Sequence, residues 1–268
     1  MKSASACQTA SSNCTAIGDW QISIALGAGV TTNPLHSGDN FPLFFIPYIH
    51  YYDENFYIEN NTLGYSFYQS TTLVISAVFQ LNREKMFFTD WQPSQLLVPN
   101  SSESFIYGPT SEPVTANEIK KRQWAIDAGI QMNWFINDDI EIKAQLLHDI
   151  NHVYNGYNAN IRVNKRLHFD ALKNSQFNIS FGAQWQSEAL ANYYYGLAEG
   201  DKVNPASYYH AGSGIQPFIS FSATHKLNAE WQVKLFAKKE FLDNNLSNSP
   251  LVEDNTITSA FIGVVYAF

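Results

Sequence analysis

Residues 123–136 read QWAIDAGIQMNWFI, and large apolar side chains alternate there with small or polar ones. The apolar set is Trp124, Ile126, Ala128, Ile130, Met132, Trp134 and Ile136, and the opposing set includes Asp127, Gly129, Gln131 and Asn133. Successive side chains of a β-strand point to opposite faces, so this segment has one apolar and one polar face. A tilted strand of about ten residues is long enough to cross a bilayer. The pattern therefore predicts a membrane-spanning β-strand.

Similar alternation recurs along the chain. We predict strands at 19–31, 41–52, 55–68, 71–82, 123–136, 140–150, 157–169, 175–186, 214–225, 231–242 and 256–268. Because single-chain bacterial barrels have even strand numbers, a count of eleven indicates one error. Splitting 55–68 at Asn60-Asn61-Thr62 gives twelve strands, and ten or fourteen remain alternatives.

The composition points to the same fold class. Hydrophobic residues make up 45% and aromatic residues 15%, whereas charged residues are only 15%, against roughly 25% in soluble domains. No stretch approaches the roughly 18 apolar residues of a spanning helix. A closed barrel is the other way to satisfy the backbone in a membrane. We therefore predict an all-β, transmembrane, antiparallel up-and-down β-barrel; a soluble sandwich, with shorter and mixed strands, is the alternative.

The links between strands orient this barrel. Short links, expected to be periplasmic turns, fall at 137–139, 170–174 and 228–230. Long links, expected to be extracellular loops, fall at 86–121, 152–156, 187–213 and 243–255. We assign residues 1–18 to a flexible periplasmic segment and residues 19–268 to the barrel.

Aromatic residues mark the barrel's ends. The chain stops on Phe268, with Tyr266 two residues earlier, which looks like the signal by which the barrel-assembly machinery recognises its clients; an ordinary terminal strand is the alternative. Tryptophans near strand ends are expected to form girdles against lipid and lipopolysaccharide. These are Trp20, Trp124, Trp134, Trp185 and Trp231.

Charged residues fall on the predicted interior face. They are Asp127, Glu141, Lys143, Arg162, Arg166, Lys234, Lys238 and Glu240. Opposite charges facing one another suit a closed or narrow interior, and they also suit a small conducting pore. The alternation leaves both readings open.

The amino terminus bears on export. Cys7 and Cys14 lie close together, and in an oxidising periplasm they would close a small disulfide loop; two unpaired thiols are the alternative. The charged and apolar regions of a signal peptide are missing. We expect export with a signal peptide that is absent from this numbering.

No residue pattern indicates catalysis. The net charge of −8 without a basic cluster makes nucleic acid an unlikely partner. The chain has no G-x-S-x-G nucleophile motif. His148 and His152 are four residues apart, about 13 Å along a strand, which is too far to share one metal ion. We expect no enzyme, cofactor or metal.

Several short motifs follow one another in a fixed order. They are GAGV at 27–30, FPL at 41–43, LGY at 63–65, YYG at 194–196, YHAGSG at 209–214, SPLVED at 249–254 and the aromatic terminus. Together they resemble the MltA-interacting protein (MipA/OmpV) family of outer-membrane proteins. Leu35-His36, the cysteine pair and the stretch 86–121 depart from the family pattern.

The resemblance implies a barrel in the Gram-negative outer membrane. It also implies a scaffold for a periplasmic lytic transglycosylase and a peptidoglycan synthase, or a surface adhesion or stress-response protein. It supplies no catalytic residue. The alternative function is a small porin or uptake channel.

Overall fold

The computed structural model describes residues 18–89, 114–115 and 119–268. Cys7, Cys14 and their proposed disulfide lie outside these residues, as does most of the predicted amino-terminal segment. The strands are β1 Trp20–Thr31, β2 Phe41–Pro42, β3 Phe45–Tyr52, β4 Phe56–Glu59, β5 Thr62–Gln69, β6 Leu73–Leu81, β7 Ile126–Asn137, β8 Ile140–Asp149, β9 Tyr157–Leu167, β10 Ser175–Gln186, β11 Gly214–Lys226, β12 Trp231–Phe241 and β13 Thr256–Ala267.

The sheet closes on itself. Consecutive strands pair antiparallel, and β13 returns to pair with β1 from Ser23↔Ala267 to Thr31↔Ser259. Since β2 and β3 both pair with β1, the thirteen segments make twelve barrel strands. The predicted up-and-down barrel of twelve strands is confirmed, and the sandwich alternative is excluded. Within the part of the chain described, no helix is both long and apolar enough to span a membrane.

The prediction of one unbroken strand over 41–52 was wrong. The Leu43 N–H donates to Gly29 O at 2.8 Å, and the next carbonyl, of Phe44, accepts from Gly27 N–H at 3.0 Å. Two successive residues therefore turn toward β1, and between the pairs Pro42↔Val30 and Phe45↔Leu26 they oppose the three residues 27–29 of β1. The pairing register shifts by one residue there, with the extra residue on β1. The side-chain sequence of 41–52 does not show which backbone groups face β1, so the alternation did not reveal the break.

The predicted split of 55–68 is confirmed, since Asn60 and Asn61 join β4 to β5. Asn60 has φ 50°, a left-handed conformation that asparagine adopts more readily than most residues. β4 has only four residues and pairs with His50–Tyr52 of β3. This hairpin therefore ends partway along β3 instead of reaching its far end.

Two short α-helices lie in the described parts of the long links. Helix α1 spans Glu188–Tyr195 and α2 spans Asn244–Ser247, and single 3-10 turns occur at Arg83–Phe88, Asp170–Leu172 and Pro205–Ser207. The long links meet at one end of the barrel and the short turns at the other. Near the short-turn end, Gly18 N–H donates to Tyr52 O at 2.8 Å and Phe268 N–H donates to Ile22 O at 3.0 Å.

Candidate functional site

A layer of apolar side chains covers the barrel mouth at the long-link end, and we call it the loop plug. Its buried members are Leu35, Phe87, Val114, Ile119, Ala125, Tyr154, Leu190, Ala191, Tyr194, Tyr195, Leu197, Ala211, Leu242, Leu246, Leu251, Val252 and Ile257. Residues from five separate links contribute, so burial of apolar area holds the links against one another. The loop plug thus acts as a second core stacked on the barrel.

Helix α1 brings two tyrosines into the centre of the loop plug. Ser187 begins the helix as its N-cap, with its side chain accepting from Leu190 N–H. The buried face carries Leu190, Tyr194 and Tyr195, and the side chains of all three are fully buried. Gly196 follows the helix directly, and its N–H donates to Asn192 O.

Tyr195 forms hydrogen bonds with two other long links at the barrel mouth. Its hydroxyl donates to Glu84 Oε2 at 2.6 Å, and its carbonyl accepts from Ser249 Oγ at 2.6 Å. Glu84 follows β6, whereas Ser249 lies between β12 and β13. Burial and the neighbouring Glu84 carboxylate raise the pKa of Tyr195 well above its ordinary value, so the phenol stays a hydrogen-bond donor.

Directly beneath the loop plug, an ion pair crosses the lumen. Arg83 Nη1 and Nη2 donate to the two carboxylate oxygens of Glu240 at 3.1 and 2.6 Å. Arg83 follows β6 and Glu240 lies on β12, which are six strands apart in the ring of twelve. The pair therefore joins opposite walls, with the two-point geometry that fixes a guanidinium on a carboxylate.

The structure brings together only some of the charged residues predicted to face the lumen. Lys238 Nζ lies 2.9 Å from Glu240, which also binds Arg83. Asp127 and Glu141 accept hydrogen bonds instead of ion pairs. Their donors are Asn82, Tyr154 and Asn158 for Asp127, and Asn133 and Asn164 for Glu141.

The remaining four charged residues form no ion pair within the described part of the chain. Lys143 and Arg162 are direct cross-strand neighbours on β8 and β9. Lys234 lies 4.1 Å from the Tyr48 ring near the short-turn end, and Arg166 donates to Asp138 O at 3.5 Å.

The aromatic residues lie at strand ends on the outer face. Trp20, Trp134 and Trp231 are near the short turns, and Trp124 and Trp185 are near the long links. All five side chains are exposed on the isolated barrel. Tyr266 packs edge-on against Phe268, with ring centroids 4.9 Å apart.

Sequence reasoning missed Arg83, Glu84 and Tyr195. Arg83 and Glu84 begin a link and carry no alternation, and Tyr195 lies in a segment assigned to a loop. A motif signal existed only for Tyr195, which stands in the YYG stretch at 194–196. Among the described residues, no group of three or more His, Cys, Asp or Glu side chains is arranged to hold a metal.

Glu84 predicts a pH dependence of stability. Burial raises its pKa, and the Arg83 guanidinium and the Tyr195 hydroxyl oppose this shift only in part. A raised folded pKa contributes stability that is fully present below the unfolded value of about 4.3 and is lost as pH rises through the folded pKa. We expect Glu84→Gln to lessen the fall in unfolding free energy from acid to neutral pH, measured by urea unfolding in micelles. Glu188→Gln, at an exposed glutamate, is the control; an unchanged pH profile in Glu84→Gln would contradict the assignment.

Comparison with known proteins places the chain in one family of outer-membrane proteins. The family model described as "MltA-interacting protein MipA" matches residues 24–268. The putative outer membrane protein YiaT of Escherichia coli K12 is 22% identical over 251 residues, covering 92% of this chain and 91% of that protein. The MltA-interacting protein of the same strain is 20% identical over 249 residues, covering 92% and 90%.

Two further matches are partial or distant. Outer membrane protein Omp26La of Vibrio anguillarum is 25% identical over 149 residues, covering 54% of this chain and 56% of that protein. Among solved structures, the NanC porin aligns over 92% of this chain and 98% of its own, with 8% identity and a TM-score of 0.42. Since the family model spans β2–β13 and most of β1, this outer-membrane barrel belongs to the MltA-interacting protein MipA family.

Proposed function

We propose that this protein is a non-enzymatic anchor that holds a peptidoglycan-remodelling enzyme at the periplasmic face of the outer membrane. The observation that carries the proposal is the closure of the long-link end by the loop plug and the Arg83–Glu240 pair. A barrel closed in this way has its short-turn rim as the surface available to a periplasmic partner. The name of the Escherichia coli relative, MltA-interacting protein, and the family resemblance to lytic transglycosylase scaffolds support the same class of partner.

The short-turn rim offers a chemically mixed surface for such a partner. A cleft of about 740 Å³ is lined there by Thr71, Thr72, Phe135, Ile136, Asn137, Asp138, Asp139, Arg166 and His168. Phe135 and Ile136 are exposed, and Asp139 lies 2.6 Å from His168 Nε2. Exposed aromatic and aliphatic side chains bordered by charge are typical of protein interfaces.

The proposal includes export and assembly. We infer that the protein is exported to the periplasm, that the barrel-assembly machinery binds the Tyr266–Phe268 end, and that Cys7 and Cys14 pair after export. Lipid and lipopolysaccharide surround the aromatic girdles in this proposal.

The test is recovery of the partner from solubilised outer membranes. We expect the tagged full chain to enrich a lytic transglycosylase and a peptidoglycan synthase about tenfold over an unrelated barrel. Asp138→Arg with Asp139→Arg should lose most of this enrichment, because reversing rim charge repels a complementary partner. Glu199→Arg with Asp254→Arg, at exposed acids on the long-link side, is the matched control. Absence of any peptidoglycan enzyme from the wild-type sample would end the anchor proposal.

A small porin is the second candidate, supported by a cavity among lumen-facing cations. About 200 Å³ of space borders Arg83, Lys143, Arg162 and Lys238. Planar-bilayer recording separates the two candidates, since an anchor with a covered mouth gives no conductance steps and a porin does.

A further inference from the structure

Among the described residues, the barrel wall has a gap on the long-link side, which we call the wall notch. β3 pairs with β4 only at His50–Tyr52, so the stretch from Phe41 to Tyr48 has β1 on one side. Within the described residues, no strand pairs with its other side. The hairpin tip at Asn60–Thr62 forms the floor of the notch, and the end of β6 with the turn Arg83–Phe88 forms the opposite side.

Two prolines fit this unpaired edge. Ile49 exchanges bonds with Asn60 on the notch side, at 2.9 and 3.0 Å, so Pro47, two residues earlier, also directs its nitrogen to the notch. Pro42 lies between Phe41, which pairs with Thr31, and Leu43, which donates to Gly29. Its nitrogen therefore points away from β1 as well. Proline has no N–H, so at both positions this edge has no donor to leave unpaired.

Apolar side chains line the outer lip of the notch. Phe44 and Phe45 are 58% and 56% exposed on the barrel surface. Phe45 pairs with Leu26 in the middle of β1, so the lip lies at membrane depth. An acyl chain is the natural neighbour of such a surface.

A cavity lies between the hairpin tip at the floor of the notch and the lumen cations. The cavity of about 200 Å³ is lined at the hairpin tip by Asn61 and Thr62, at the end of β6 by Leu81, and in the lumen by Lys143, Arg162 and Lys238. One continuous space thus extends from the tip of the notch to positive charge inside the barrel. A water molecule occupies about 30 Å³, so this space holds a phosphate or carboxylate headgroup with some water.

Lys143 and Arg162 are lumen cations that carboxylates attract only from beyond ion-pair distance, since Glu59 and Glu141 act on Lys143 and Glu141 and Glu240 act on Arg162. Facing each other on adjacent strands, they repel, and neither has a carboxylate within ion-pair distance among the described residues. Arg162 Nε is buried without a hydrogen-bond partner there. The nearby Glu141 accepts from two asparagine amides instead. An anion between the two cations would relieve this repulsion.

We propose that the wall notch admits an anionic single-chain amphiphile, with its phosphate or carboxylate headgroup on Lys143 and Arg162 and its acyl chain along Phe44 and Phe45. The barrel would then take such a molecule sideways from the membrane, beneath a mouth that stays covered. This binding activity is independent of the anchor function.

Native mass spectrometry of the full chain, released from phosphatidylcholine nanodiscs, tests the proposal with dodecyl phosphate, dodecyl maltoside and inorganic phosphate as probes. We expect dodecyl phosphate to bind, dodecyl maltoside not to bind, and Lys143→Gln with Arg162→Gln to weaken binding at least about tenfold. Arg162→Lys should retain most of it. Lys234→Gln, a lumen cation outside the cavity, is the matched control.

The lip is tested separately. Phe45→Ser should weaken dodecyl phosphate binding several-fold, whereas Phe181→Ser, at an equally exposed outer phenylalanine on the far wall, should not. Heat-modifiable mobility in gels verifies folding of each variant. Equal binding by the wild type and the double glutamine variant would overturn the proposal. Inorganic phosphate binding as tightly as dodecyl phosphate would also overturn it, because the site would then take free anions.

Discussion

Glu240→Ala is expected to lower the free energy of unfolding by about 3–5 kcal/mol, because it removes the carboxylate that Arg83 and Lys238 share. Glu240 is only 4% exposed, so water does not replace the lost partner. Arg83 is anchored by the turn that follows β6 and lies beneath the loop plug, which limits its retreat to solvent. The remaining acid near Arg83 is Glu84, at 3.6 Å from Nε.

Urea unfolding in micelles, followed by tryptophan fluorescence, measures this change. Glu230→Ala, at an exposed glutamate in a short turn, is the control and should stay within about 0.5 kcal/mol of wild type. Replacing Arg83, Lys238 and Glu240 together by Met, Met and Leu should recover most of the loss, because the charges are then removed as a set. A Glu240→Ala protein as stable as the control would mean that the pair does not bridge the lumen.

The barrel itself could be predicted because the alternation of side chains that indicates each strand is a local property of the sequence. Apolar and polar side chains alternate every two residues along each strand. Because bacterial barrels have an even number of strands, the missing turn could be placed at Asn60-Asn61-Thr62. The register shift at Leu43 and Phe44 could not be predicted, since it depends on which partner strand each backbone group faces.

The site was less predictable because its contacts are long-range. Alternation placed Lys143, Arg162 and Glu240 on the inner face, but a partner across the lumen leaves no periodic signal. Arg83 and Glu240 are 157 positions apart, and nothing local to either residue indicates the other. The loop plug is likewise assembled from links that have no common period.

Tyr195→Ala is expected to open the loop plug while the barrel stays folded. The side chain is fully buried, and truncating a large buried aromatic residue costs about 3–5 kcal/mol. The variant also leaves Glu84 without the hydroxyl that donates to it. Because the plug is a layer separate from the strand ladder, the loss should appear as local opening. We expect amide exchange in α1 and α2 to accelerate on the order of 100-fold or more, measured by hydrogen exchange and mass spectrometry.

Two further variants separate the contributions of the ring and the hydroxyl. Tyr195→Phe keeps the packing and should accelerate plug exchange far less than Tyr195→Ala, since it removes only one buried hydrogen bond. Tyr208→Ala, an exposed tyrosine in the same link, should change nothing. Equal acceleration in the strands and the plug would show that the two layers unfold together. Acceleration confined to α1 would show that the links do not stabilise one another. Faster exchange in both helices, with the strands still protected, is the result expected if the loop plug opens independently of the barrel.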